Sequence, residues 1–99
     1  MAAFDPKESV PVKIGEVEFA IRAGTVREWR EYERKVTPLL NSLATEGVIA
    51  LVASMLVDPS QATTLGEALD AMRVDEFYRL ANNLQGRVTM TLLEKKASA

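Results

Sequence analysis

Few residues in this chain could do chemistry. Its 99 residues include no Cys and no His. Cysteine nucleophiles, disulfides, thiolate or imidazole metal sites and a Ser-His-Asp triad are therefore excluded. What remains is carboxylates, lysines, arginines and two tyrosines. Glu28, Glu31, Asp58 and Asp75 are the carboxylates to test as a general acid–base dyad, which needs two carboxyl groups held in unlike environments. Their spacing pairs none of them, and each has a capping, ion-pair or turn role. The segment from Thr64 to Gly86 imitates a helix-turn-helix, but its recognition helix carries only Arg79 and Arg87 beside Asp75 and Glu76. Phosphate affinity needs several basic contacts. A net charge of −2 and a pI near 5.1 also lack the basic excess of a nucleic-acid module. The expectation is a protein that is no enzyme, with no catalytic, cofactor or metal residues and no nucleic-acid partner.

The other candidates are apolar. Trp29 and Tyr32 could form an exposed binding pair, but their helical spacing with Val26 and Val36 favours the core. Met55, Met72 and Met90 could lend an adaptable surface, since methionine is flexible; gap-filling in the core is the plainer role. Most unusual is the middle of the chain. Residues 37–70 hold no Lys or Arg and four acids, Glu46, Asp58, Glu67 and Asp70. Residues 1–36 are balanced, with seven basic and seven acidic side chains. From Leu39 to Val57 apolar residues go nearly all the way round a helix. Such a helix is normally covered on all sides. It is either core or an interface, because large exposed apolar patches mark interaction sites.

The elements around these residues follow from local pattern. Hydrophobic residues are 47% and charged residues 26%, values of an ordinary folded domain. A chain this size supports one modest core. Residues 1–9 are polar and read as a flexible leader, without the basic and apolar regions of a secretory signal. Val10, Val12 and Ile14, then Val17, Phe19 and Ile21, alternate on two short runs around Gly15-Glu16, a hairpin with glycine where a type II′ turn wants φ > 0. Thr25 and Glu28 form a capping box, opening a helix over about 26–36. Pro38 either kinks it or starts a new one; a second helix is expected over 38–57, stopped by Asp58-Pro59. Thr64 and Glu67 form another capping box for a helix over 65–72. Asp75 caps a fourth helix over 76–85, with Gly86 as its C-cap. Residues 87–93 are extended or helical, and 94–99 are a flexible tail. The fold class is α+β, mainly α, with one domain over 10–93. No run approaches the about 20 apolar residues of a membrane span.

In order, these features resemble the tail assembly chaperones of long-tailed bacteriophages. The resemblance covers roughly residues 10–86. It rests on the apolar hairpin, Thr25-Val26-Arg27-Glu28-Trp29-Arg30-Glu31, Leu51-Val52-Ala53-Ser54-Met55-Leu56-Val57-Asp58-Pro59, Thr64-Leu65-Gly66-Glu67-Ala68-Leu69-Asp70 and Asp75-Glu76-Phe77-Tyr78-Arg79-Leu80. It implies a small, mostly helical, non-catalytic protein. Such a protein binds the helical, aggregation-prone tape measure protein in the host cytoplasm and is absent from the finished virion. It also implies two products made by a reading-frame slip, for which Lys95-Lys96 is the candidate position. The uncharged middle is the expected contact segment, with Leu43, Ile49, Val52 and Met55 touching the client or another subunit of a homo-oligomer. A head–tail connector or tail-completion subunit is the structural alternative, and a small DNA-binding regulator the third reading.

Overall fold

The computed structural model describes residues 5 and 7–98. It is α+β and mainly α: an antiparallel hairpin followed by five α-helices. Strands β1 (Ser9–Ile14) and β2 (Val17–Arg22) pair in register from Ser9 with Arg22 to Ile14 with Val17. The two-residue loop has glycine at its first position with φ +62, and Glu16 is not in the positive-φ region. This is the pattern of a type II′ turn. Alternation puts Val10, Val12, Ile14, Phe19 and Ile21 on the buried face.

Helix α1 (Val26–Asn41) opens with the expected box. The Thr25 hydroxyl accepts from the Glu28 amide, and the Glu28 carboxylate accepts from the Thr25 amide, each at 3.1 Å. The helix then runs through Pro38 rather than stopping at residue 36. Proline removes one N–H and crowds the carbonyl four residues before it, but the helix continues, and three further residues complete the last turn. The break comes at Ser42–Ala44. The Ala44 amide reaches the Leu39 carbonyl at 2.9 Å and the Leu43 amide the Leu40 carbonyl at 3.2 Å, a Schellman closure with Leu43 at φ +59.

The single helix expected over 38–57 is therefore not formed. Its first four residues belong to α1, and α2 (Thr45–Ala53) folds back along it. Folding back covers one side of an apolar stretch that a straight helix would leave bare. The approach is close enough that a Cβ on Gly47 would meet Leu39 Cδ2 at 2.9 Å.

Residues 55–57 leave α2 along the outer edge of β2. The Arg22 amide donates to the Met55 carbonyl (2.9 Å), the Val57 amide to the Ala20 carbonyl (3.0 Å), and Ile21 bridges Leu56. Asp58 then starts structure as well as stopping it. Its carboxylate accepts from the Ser60 amide and hydroxyl, with Pro59 at the first position of a 3₁₀ turn (Pro59–Gln61) that runs into α3 (Ala62–Asp70). Because the helix is already under way, Thr64 lies inside it and caps nothing.

Helix α4 (Val74–Asn82) likewise begins before Asp75, with Arg73 at the N-cap and no side-chain cap. Gly86 ends no helix, since α5 (Leu84–Ser98) passes straight through it. Residues 87–93 are thus helical, and so is the tail up to Ser98. The burial of Leu84, Val88 and Leu92, four residues apart, selects helix over strand; Met90, which would share a strand face with Val88 and Leu92, is exposed. The expected leader is partly structured too: Ser9 is in β1, and the Glu8 carbonyl accepts from the Ala23 amide. Residues 1–4 and 6 of that leader, and residue 99 of the expected tail, lie outside the described residues.

The core lies between the hairpin face and the helices. It is built from Trp29, Tyr32 and Val36 of α1, Val48 and Val52 of α2, then Met55 and Leu56. Leu65 and Leu69 of α3, Phe77 and Leu80 of α4, and the α5 seam complete it. No polar or charged residue among those described is buried in it.

Candidate functional site

Helices α1 and α2 lie side by side and leave an open groove on their solvent side. Lys35, Pro38 and Leu39 line it from α1; Gly47, Ala50, Leu51 and Ser54 line it from α2. Its floor is low because Gly47, Ala50 and Ser54 recur at three- and four-residue spacing on one face of α2. Leu39 and Leu51, both half-buried, supply the apolar surface between them. The volume, about 560 Å³, would suit a small molecule. A ligand pocket, however, is enclosed and carries a few converging polar groups. This depression is open-sided and mostly apolar, so its shape suits a chain segment better than a metabolite.

Beyond Leu51 and Ser54 the same surface continues past Arg27, Glu28 and Glu31. The carboxylates on this wall are already partnered. Glu28 takes the Arg22 guanidinium at 2.9 Å, and Glu31 takes Arg34 at 2.9 Å. The hydrogen bond from Arg22, followed by that from the Thr25 amide, holds the Glu28 carboxyl below the usual range. Arg27 and Lys35 form no ion pair among the described residues. The wall is therefore cationic in effect, beside an uncharged α2 face.

The four expected contact residues do not form one surface. Leu43 is 69% exposed, at the positive-φ position of the α1–α2 turn. Ile49 is half-buried on the far side of α2, in a small depression with Leu69, Met72 and Phe77. Val52 and Met55 are 1% and 4% exposed and belong to the core. Their assignment as surface contacts is corrected: Val52 of α2 and Met55 just after it are buried in the core, and only Leu43 and part of Ile49 meet solvent. Trp29 and Tyr32 pack edge to face in the core at 5.3 Å between ring centres.

The candidate acid–base carboxylates keep local roles. Asp58 is a cap whose carboxyl is held low by the Ser60 hydroxyl and amide, and Asp75 pairs with Arg73 at 3.3 Å. Among the described residues no group of three or more His, Cys, Asp or Glu could hold a metal ion. Nor is any helix among them long and apolar enough to cross a membrane.

The groove residues Lys35, Gly47 and Ala50 were not singled out from the sequence, and Pro38 only as a helix breaker. Their signal is the small-residue spacing on α2 next to unpaired cations on α1, and it acquires meaning only once α2 folds back. Comparison with protein-family models, curated proteins and solved structures finds no match.

Proposed function

We propose that this chain is a non-catalytic assembly chaperone of a long-tailed bacteriophage, which binds the helical tape measure protein and keeps it soluble until the tail is built. The observation that carries the reading is the open apolar groove between α1 and α2. A groove between two helices is the natural seat for an apolar face of a third helix. Exposed Leu43 at the end of this helical pair adds apolar surface outside the core. The order of hairpin, capped helix and apolar helix supports the same reading through its resemblance to that family.

The test is co-expression with the tape measure protein encoded in the same gene cluster. The expected result is a soluble complex that co-purifies, with the chain missing from purified particles. A tape measure protein that aggregates equally with and without the chain would remove the reading. Stoichiometric presence in finished tails would favour the structural alternative, a connector or tail-completion subunit.

A further inference from the structure

We propose that the α1–α2 groove takes one amphipathic helix whose apolar stripe is bordered by carboxylates about two turns apart. The proposal rests on the assembly-chaperone reading for the kind of protein that supplies the helix; the groove itself defines the chemistry.

Charge carries the argument. The floor, Leu39, Ala50 and Leu51, is apolar and uncharged. The wall carries Arg27 and Lys35, which form no ion pair among the described residues, while Glu28 and Glu31 are neutralised by Arg22 and Arg34. Eight residues separate Arg27 from Lys35, a rise of about 12 Å along the α1 axis at roughly 1.5 Å per residue. A helix lying along the groove would meet both cations with acidic residues seven or eight positions apart.

A second copy of this chain does not fit that description. The acidic helices α3 and α4 have committed their apolar faces, Leu65 and Leu69 and then Phe77 and Leu80, to the core. Helix α5 does expose Met90 and Leu93, but it carries Arg87, Lys95 and Lys96. The occupant is therefore a different protein.

The probe is a labelled synthetic 18-residue amphipathic peptide with a leucine stripe flanked by glutamates at that spacing, beside a twin with lysines in their place. Fluorescence anisotropy with the full chain should show the glutamate peptide binding about tenfold more tightly than the lysine peptide, with the difference shrinking at high salt. The double substitution Arg27→Glu and Lys35→Glu should reverse the order, and Ala50→Glu should weaken the glutamate peptide. All three positions are exposed, and circular dichroism checks that the variants are folded. Should Ala50→Glu fail to fold, the double variant decides alone.

Equal affinities for the two peptides would overturn the proposal. So would the absence of saturable binding up to about 1 mM, the weak end of specific recognition, or a homodimer that the double substitution dissociates. The two readings fail separately. A tape measure protein kept soluble by wild type and double variant alike leaves the chaperone standing without this groove. Charge-dependent peptide binding with no effect on the tape measure protein leaves the groove standing without the chaperone.

Discussion

Tyr32 ties the first long helix to the fourth. Its hydroxyl donates to the Ala81 carbonyl at 2.7 Å, in the last turn of α4, where carbonyls lack helical partners. Tyr32→Phe leaves that carbonyl unpaired and should cost about 1–2 kcal/mol at pH 7 in urea titrations. Burial also pushes the phenol well above its ordinary value of 10.0. The folded state therefore keeps a proton that the unfolded state loses above pH 10, so this contribution is full below pH 10 and declines above it. The advantage of wild type over Tyr32→Phe should shrink by about 1 kcal/mol between pH 10 and 11.

Two glycines give a graded pair of tests. Gly15 (φ +62) faces open space, whereas a Cβ on Gly24 (φ +73) would meet Trp29 Nε1 at 3.1 Å and Met55 Cε at 3.3 Å. Gly15→Ala should cost the positive-φ penalty alone, about 1–2 kcal/mol, and Gly24→Ala measurably more in thermal melts. Equal costs would mean that the Trp29 ring gives way freely. Gly15, the capping box and the inward Trp29 were legible because each depends on residues within a few positions. The Tyr32 partner, 49 residues away, was not.

At the scale of elements, the α1–α2 turn is where local pattern misled. Leu43 occupies the C′ position that normally selects glycine. Leu43→Gly should raise stability by about 0.5–1 kcal/mol, the strain relieved less the extra freedom of the unfolded chain; a lower melting temperature would contradict the Schellman geometry. The sequence offers Pro38 as the evident breaker and no glycine at 43, so a boundary at residue 37 was the local reading. Tertiary packing of Gly47 on Leu39 decides otherwise.

The same refolding of the middle segment moves Val52 inward. Val52→Asp should abolish the cooperative melt, because a buried carboxylate there has no partner. A folded Val52→Asp protein, seen by circular dichroism, would return that residue to the surface. Helices α3 and α4 both start nearer the N-terminus than their apparent caps. Asp58 and Arg73 begin helical backbone earlier than Thr64 and Asp75, which look like the better caps in isolation.

On the scale of the whole molecule, α5 is tied back to the segment that leads into β1. Lys96 of α5 pairs with Glu8 at 2.9 Å, and Glu8 lies beside β1. Truncation after Leu93, harmless to a frayed tail, should instead lower the melting temperature by about 2–6 °C, the effect of losing one partly exposed ion pair and a helix end. An unchanged melt would show that the last turn contributes nothing. The fold class was legible throughout, since alternation and helical spacing are strong over the hairpin, α1 and α4. The groove was not, because it forms only when the chain turns back at residues 42–44, inside the stretch 38–57 that reads as one unbroken helix.

The pairing of residues 55–57 with β2 also sets an order of exposure during synthesis. Both strands of the hairpin are made by Arg22, but the outer edge of β2 stays open until Val57 follows. The face of β1 waits longer still, for α5 to bring Val88 and Leu92. Until Val57 is made the nascent chain thus presents an uncovered strand edge, and until α5 follows it presents an apolar ribbon, the features from which β-aggregates grow. The protein is most vulnerable before its own C-terminal helix leaves the ribosome.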